Sequence, residues 1–204
     1  MSLSEYETWL IAVEPRFAPL VERWGPCQLV SSARPDDLVA TLARCICSQQ
    51  LSTKAADTIH GRLAVRFGDG NAVRVEQVDA ASLEALREAG LSWAKAGYLK
   101  DLSARALAGE IPSLEEISDW PEDAIIERLT RVKGLGQWSV EMLLMFRLGR
   151  LDVWPVDDLG VREGWTRLMG LDARITPKAL RAEGERFRPY RSVTAWYLWR
   201  VLES

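Results

Sequence analysis

Two adjacent carboxylates, Asp157 and Asp158, are the candidate catalytic groups of this sequence. They follow Pro155 by two and three positions and precede the stretch "LGVREGW". A positioned carboxylate can stabilise positive charge that develops during a reaction, and it can orient or deprotonate an attacking water. An aspartate before a helix is equally typical of an N-cap, whose side chain accepts a backbone N–H of the first turn. The residues alone leave both interpretations open.

A second candidate site is the glycine-containing break in "LTRVKGLGQWSVEMLLMF", residues 129–146. The stretch has helical character on both sides of Gly134 and Gly136, although glycine costs about 1 kcal/mol inside a helix. Without Cβ atoms, the two glycines allow positive φ and a close approach of another molecule. The helix that follows presents the positive end of its dipole, which can bind phosphate oxygen, and Lys133 adds a cation. The alternative is an ordinary connection between two helices.

Charge sets a limit on how nucleic acid could be bound. The chain has 204 residues, a net charge of −3 and 48% hydrophobic residues, which suits a globular protein with one core or two small lobes. A negative net charge argues against a partner held mainly by a basic surface. It leaves open a partner held by a local patch such as the glycine break.

Cysteine and histidine are too few for the common metal centres. The three cysteines are Cys27, Cys45 and Cys47, and His60 is the single histidine. Their spacing matches no zinc pattern, and three cysteines cannot supply a four-cysteine iron–sulfur cluster. An odd number of cysteines also argues against a closed disulfide framework and favours a reducing compartment. We expect no cofactor of these kinds.

The N-terminal stretch does not resemble a signal peptide. Glu5, Glu7 and Glu14 interrupt its apolar positions, and no uncharged run approaches the roughly 18 residues of a membrane span. We therefore predict a cytoplasmic protein without a membrane partner. Elsewhere, apolar residues recur at helical spacing, as at Leu38 and Leu42, and strand-like alternation is nearly absent. The predicted fold class is all-α.

Several stretches resemble one protein family. Residues 129–146 resemble the helix–hairpin–helix of the DNA glycosylase superfamily, and "RLDVWPVDDLGVREGW" resembles the loop and aspartate that follow it there. "CICSQQLSTKAADTI", "GLSWAKAGYLKDLS" and "YRSVTAWYLWR" resemble further signatures of the 3-methyladenine DNA glycosylase II family. The resemblance covers about Pro35 to Arg200, with the motifs in the family's order.

The resemblance implies roles around a base-binding pocket. It implies that Asp158 is the catalytic carboxylate, with Asp157 in the same pocket as the fallback and as the expected helix cap. Trp138 and Trp199 match walls of the pocket. Further pocket positions are aromatic in the best-known relatives but are occupied here by Met142 and Leu159. Trp138 also stands where lyase-active relatives carry a nucleophilic lysine, so no Schiff base is expected.

The resemblance also implies how DNA is held. The hairpin residues expected to contact the DNA backbone are Lys133, Gly134, Leu135, Gly136 and Gln137. A monovalent cation, Na⁺ or K⁺, is implied at the backbone carbonyls of Thr130, Val132 and Leu135. Gln50, with Leu51 beside it, matches the wedge that fills the gap left by the target base, although "SQQLS" could be a simple polar turn. Lys54 and Lys95 are placed near DNA, and Lys95 could equally be a solvated surface residue.

These expectations combine into one hypothesis. The 204 residues would form a single glycosylase unit, with a central helical lobe over 35–112 and a second lobe from 1–34 and 113–204. The second lobe would carry the hairpin, residues 129–148, and Trp138, Asp158 and Trp199 would lie in the cleft between the lobes.

The predicted function is hydrolytic release of 3-methyladenine and 7-methylguanine from damaged double-stranded DNA by a monomer at the nucleoid. Two alternatives remain: a non-catalytic helix–hairpin–helix DNA-binding protein, and a glycosylase with lyase activity.

Overall fold

The computed structural model describes residues 4–31 and 37–203, in which every regular element is a helix. In these residues the α-helices are α1 (Glu5–Val13), α2 (Ala18–Trp24), α3 (Leu38–Ser48), α4 (Thr53–Arg66), α5 (Val75–Ala80), α6 (Leu83–Glu88), α7 (Trp93–Leu107), α8 (Glu122–Leu129), α9 (Gln137–Phe146), α10 (Leu159–Met169), α11 (Pro177–Gly184) and α12 (Arg191–Arg200). Short 3₁₀ helices extend some of their ends. The all-α prediction is confirmed. None of the helices described has both the length and the apolar character needed to cross a membrane.

Short polar side chains define where many of these helices begin. The hydroxyl groups of Ser52, Ser92 and Thr176 each accept a backbone N–H three residues later, at the starts of α4, α7 and α11. Such caps stabilise a helix by about 1 kcal/mol each because they satisfy an N–H that has no partner within the helix. The helix boundaries therefore follow from local sequence.

The chain divides into two compact units, and the division falls within α9. The central unit is Pro35–Val140, and the terminal unit combines Met1–Arg34 with Glu141–Ser204. The sequence-based boundary at Pro112 differs from this division, because the hairpin makes its contacts with α7 and with the end of α3. Within the central unit the Lys133 N–H donates to Asp101, and Gln49 donates to the carbonyl of Gly134.

Each unit has its own apolar core. In the central unit α7 packs against α3 and α5, around buried side chains that include Leu42, Ile46, Leu63, Leu86, Leu99 and Leu102. In the terminal unit α12 packs against α10 and α2, around Leu10, Phe17, Phe187 and Tyr197. Seven consecutive residues of α12, from Ser192 to Leu198, are buried. The α12 helix is therefore the central helix of the core of the terminal unit.

Candidate active site

Asp158 is itself the N-cap of α10. One carboxylate oxygen, Oδ1, accepts the Val161 N–H at 2.7 Å, and the backbone of Asp158 is extended, as caps usually are. The sequence-based expectation that Asp157 would be the cap is wrong. The N–H of the third helical residue is within reach of the residue three positions earlier, and Asp157 is exposed instead. The candidate catalytic carboxylate thus lies at the positive end of a helix dipole.

Trp199 contacts the same oxygen. Its indole Nε1–H donates to Asp158 Oδ1 at 2.9 Å, so two N–H donors from different helices converge on one carboxylate oxygen. Gly160 makes this approach possible: a Cβ there would lie 2.7 Å from Trp199 Cδ1 and 3.1 Å from Asp158 Oδ1. Any side chain at position 160 would push the indole away from the carboxylate. In the sequence, the signal that could have identified Gly160 is its place two residues after Asp158 in "DDLG".

Phe146 completes an aromatic surface beside this pair. Its ring stacks on Trp199 with 5.6 Å between ring centroids and 29° between the ring planes, and the side chain is 40% exposed. No role is predicted for Phe146 from the sequence, where it is the last apolar residue of a largely apolar helix. Asp158, Trp199 and Phe146 together are called the Asp158 cluster below.

The loop that leads to Asp158 is fixed to α12 at its beginning as well. The Arg191 guanidinium donates to both carboxylate oxygens of Asp152 at 2.7 and 3.0 Å and to its backbone carbonyl. The Ser192 hydroxyl accepts the Val153 N–H at 2.9 Å. Because Trp199 binds Asp158 at the other end of the helix, α12 holds both ends of this loop. The position of the carboxylate is therefore set by tertiary contacts as well as by its own helix.

The other predicted pocket residues are exposed or half-buried. Trp138 lies in the first turn of α9 and is 52% exposed, and Met142 follows one turn later on the same helix face. Leu159, the first residue of α10, is 62% exposed. Side chains of this size are usually covered in a folded protein. The structure brings Asp158 and Trp199 together, whereas the cleft expected to join them to Trp138 stays a prediction.

The hairpin turn, residues 130–136, joins α8 to α9 in the central unit. Gly134 has φ +83°, and a Cβ there would overlap the ring of Tyr98. Both the backbone conformation and the lack of space therefore require glycine at this position. Gly136 does not use the positive φ that glycine allows, and a Cβ there would meet nothing within 4 Å. The Leu135 side chain is buried, so it can offer DNA only its backbone. Lys133 is exposed, with Nζ 3.6 Å from Asp101.

The wedge turn, residues 49–52, joins α3 to α4 in the same unit. Gln50 and Leu51 are exposed, as is Lys54 in the first turn of α4. Gln50 has φ +55°, and among the described residues no other non-glycine residue has positive φ. This conformation costs roughly 1–2 kcal/mol for a residue with a Cβ, so neighbouring contacts must hold it. The turn therefore presents Gln50 in a conformation that the chain would not adopt unaided.

Lys95 is half-buried and makes hydrogen bonds within the central unit. Its ammonium donates to the backbone carbonyls of Cys47 at 2.8 Å and Gln49 at 2.6 Å, at the C-terminal end of α3. Burial lowers the pKa of Lys95 from its ordinary value. The expected DNA contact of Lys95 stays a prediction, and these internal bonds are what the structure shows. Gln49, for which the sequence predicts no role, donates from Nε2 to the Gly134 carbonyl at 2.7 Å.

The hairpin turn, the loop that leads to Asp158 and the wedge turn all lie in a region of the chain that matches a known family. The profile of the HhH-GPD superfamily of base excision DNA repair proteins matches residues 43–189. The chain belongs to this superfamily. The matched region contains the wedge turn, the hairpin turn and Asp158, and Trp199 lies ten residues beyond its end.

Individual relatives are similar over nearly the whole chain. DNA-3-methyladenine glycosylase 1 of Schizosaccharomyces pombe is 35% identical over 98% of this chain and 88% of its own length. The structure of the 3-methyladenine DNA glycosylase of that yeast in complex with abasic DNA superposes with a TM-score of 0.75, at 34% identity, covering 97% of this chain and 96% of that one. A DNA-3-methyladenine glycosidase from Bacillus halodurans gives a TM-score of 0.84 at 34% identity, covering 97% and 88%. The superfamily assignment thus extends through α12.

Trp199→Phe tests the role of the indole N–H within this superfamily site. Phenylalanine keeps an aromatic ring for stacking on Phe146 but removes the indole N–H that donates to Asp158. Because a hydrogen bond to a charged group contributes about 1.5–3 kcal/mol, we expect the rate of the chemical step to fall about tenfold or more. The measurement is the single-turnover rate of base release beside the Kd for the substrate duplex. Trp9→Phe, the same exchange on α1, should change neither quantity.

Proposed function

We propose that this protein is a monofunctional DNA glycosylase that hydrolyses the N-glycosidic bond of alkylated purines in duplex DNA. The observation that supports it best is the Asp158 carboxylate, which Val161 and Trp199 hold at a helix N-terminus beside two stacked aromatic rings. The names of the relatives, DNA-3-methyladenine glycosylases, support the same reaction. The proposed substrates are 3-methyladenine and 7-methylguanine, and the product is an abasic site.

The proposed chemistry matches a carboxylate and needs no covalent intermediate. Methylation of a ring nitrogen makes the purine cationic and weakens its bond to the sugar. As that bond breaks, positive charge builds on the sugar, as in glycoside hydrolysis. As the bond to the sugar breaks, the departing base takes up its electrons and leaves neutral, and Asp158 stabilises the charge on the sugar. The oxygen of a water molecule then bonds to the sugar carbon, and the proton that this water loses passes to Asp158 and from there to solvent. Free base and a DNA hemiacetal at the abasic position are the products.

Aromatic surfaces account for the preference for alkylated bases. A cation over a desolvated indole or phenyl face gains about 1–2 kcal/mol. Trp199 and Phe146 offer such faces next to Asp158, and Trp138 offers an exposed indole in the central unit. Selection would rest on the charge and leaving ability of the base more than on hydrogen bonds to its edges. A neutral, undamaged purine gains less from the same surfaces and leaves the sugar more slowly.

A chain of net charge −3 needs a local phosphate-binding site to bind DNA, and the hairpin turn supplies one. Gly136 is exposed, and the space where a Cβ would stand is open, so a phosphate can approach its backbone closely. The dipole of α9 and the Lys133 ammonium favour an anion at the same place. The carbonyls of Thr130, Val132 and Leu135 suit a hard monovalent cation; Val132 also accepts the Leu135 N–H, which leaves its carbonyl a second lone pair. Such a cation would add positive charge beside the phosphate.

The protein should form no covalent complex with DNA. Trp138 stands at the position where lyase-active relatives would carry the nucleophilic lysine, and an indole cannot form a Schiff base. We expect borohydride reduction during turnover to trap no protein–DNA adduct, and the abasic strand to break only after alkali treatment. A lyase-active glycosylase run in parallel provides the positive control. An adduct on denaturing gels would mean that another lysine acts as a nucleophile.

The direct test of the proposed function is chromatography of the free bases released from methylated duplex DNA. We expect 3-methyladenine and 7-methylguanine to appear in solution, together with an equal number of abasic sites. We also expect the active species to be a monomer, with damaged DNA of the nucleoid as its target. Tight binding of the same DNA without any free base would instead support a non-catalytic binding protein.

A further inference from the structure

One face of α7 contacts both turns of the central unit that are expected to meet DNA. Lys95, Tyr98 and Asp101 are spaced three residues apart on this helix and share a face. Lys95 donates to the wedge turn, the ring of Tyr98 lies against Gly134 of the hairpin turn, and Asp101 accepts the Lys133 N–H at 2.9 Å. A single rigid helix therefore sets the positions of two separate loops.

Gln49 ties the two turns directly to each other. Its backbone carbonyl accepts the Lys95 ammonium at 2.6 Å, and its side-chain amide donates to the Gly134 carbonyl at 2.7 Å. One residue thereby connects the wedge turn, α7 and the hairpin turn. All three partners lie in the central unit, so the arrangement is a property of that unit alone.

The hydrogen bonds of Gln49 restrain the backbone next to Gln50. Gln50 is held at φ +55° between Gln49, fixed as described, and Leu51, whose N–H donates to the Ser48 carbonyl at 3.2 Å. The direction in which Gln50 projects depends on the backbone of Gln49 staying in place. Loss of the Lys95 or Gln49 side chain would leave the wedge turn free to relax toward ordinary negative φ.

We propose that Lys95 and Gln49 are positioning residues that hold the wedge turn in register with the hairpin turn while the target base is extruded from DNA. This inference rests on the proposed glycosylase function and deepens it. The hairpin turn binds the DNA backbone. The wedge must therefore enter the base stack at a set distance from the bound phosphate. If the wedge turn is not held in place relative to the hairpin turn, the protein still binds DNA. The wedge then fills the gap left by the target base poorly, so the extruded base returns to the stack.

Lys100 provides a matched control on the same helix. Its ammonium also donates to backbone carbonyls at a helix C-terminus, those of Asp79 and Ala81 at the end of α5. Lys95 and Lys100 therefore make the same kind of bond, but the contacts of Lys100 are to neither DNA-facing turn. A purely structural role of Lys95 predicts the same phenotype for Lys95→Met and Lys100→Met.

The first experiment compares base release from two duplexes that differ only opposite the lesion. In one, 7-methylguanine is paired with cytosine; in the other it faces a tetrahydrofuran site and is already unpaired. Since extrusion from a paired stack costs a few kcal/mol, we expect Lys95→Met and Gln49→Leu to slow release from the paired duplex about tenfold and from the unpaired one at most about twofold. Lys95→Arg should restore the ratio, and Lys100→Met should leave it at the wild-type value. Equal slowing on both duplexes would overturn the proposal.

The second experiment measures insertion of the wedge into DNA independently of base release. 2-Aminopurine is placed opposite a tetrahydrofuran site, where insertion of the wedge unstacks it and raises its fluorescence. We expect a rise with the wild-type protein and with Lys100→Met, and a reduced rise with Lys95→Met at saturating protein. No rise with the wild type, or an undiminished rise with Lys95→Met, contradicts the positioning role. Absence of released base in the first experiment would instead count against the proposed function, since fluorescence does not depend on catalysis.

Discussion

Asp158→Asn should lower the single-turnover rate of methylated-base release about a thousandfold while the protein stays folded. A carboxylate about 4 Å from a developing unit charge contributes roughly 4 kcal/mol at an effective dielectric of 20, and that energy corresponds to this factor in rate. Asparagine keeps the amide oxygen that can accept from Val161 and Trp199, and it caps helices as well as aspartate does. The variant therefore removes the charge and preserves the geometry.

Asp157→Asn is the matched comparison for this result. It removes an exposed carboxylate one residue earlier and leaves the cap of α10 intact. We expect a loss of at most severalfold, together with thermal unfolding midpoints for both variants close to that of the wild type. A large loss for Asp157→Asn beside near-normal activity for Asp158→Asn would assign the chemistry to Asp157. Similar modest losses for both would mean that neither carboxylate stabilises the transition state.

Gly134→Ala should have the second-largest effect, through the hairpin turn. The new Cβ would overlap the Tyr98 ring, and the residue would have to keep φ +83°. The left-handed backbone costs about 1–2 kcal/mol and crowding a packed ring about 1–3 kcal/mol, so we expect the free energy of unfolding to fall by about 3 kcal/mol. The affinity for DNA should fall with it, because the turn cannot close in its native form. Urea denaturation and DNA titration give the two quantities.

Gly136→Ala separates folding from DNA contact in the same turn. Its φ is not positive, and a Cβ there meets no atom within 4 Å, so the free energy of unfolding should change by no more than about 0.5 kcal/mol. The methyl group would nevertheless stand where a phosphate is proposed to approach. We expect weaker DNA binding at unchanged stability. Wild-type affinity in Gly136→Ala would show that DNA does not approach the hairpin at this residue.

Much of the fold and part of the site could be predicted because their signals are local. Helical periodicity and Ser or Thr caps determine where the helices lie, and these features need no knowledge of distant contacts. The glycine break at Gly134 was identified from its neighbours in the chain. Asp158 and Trp199, which the structure joins by a hydrogen bond, are both predicted as site residues by the family resemblance.

The features that could not be predicted depend on contacts between residues far apart in sequence. Lys95 and Lys133 look equivalent as charges in a sequence, but the Lys95 ammonium donates to two carbonyls at the C-terminal end of α3, whereas Lys133 is exposed. Gln49 and Gln50 are adjacent and identical, and the backbone conformation of the turn directs one to the hairpin and leaves the other exposed. Phe146 gained its role only through Trp199, 53 residues later in the chain. Such contacts become visible only in the three-dimensional structure.

The most direct test of the account is the affinity for a stable mimic of the charged sugar. A duplex with a pyrrolidine ring at the target position carries a positive charge there, whereas a tetrahydrofuran ring of the same shape is neutral. If the Asp158 carboxylate stabilises the transition state by its charge, the wild-type protein should bind the cationic duplex about tenfold or more tighter, and Asp158→Asn should bind both alike. Equal affinities in the wild type, or a preference that survives Asp158→Asn, would contradict it.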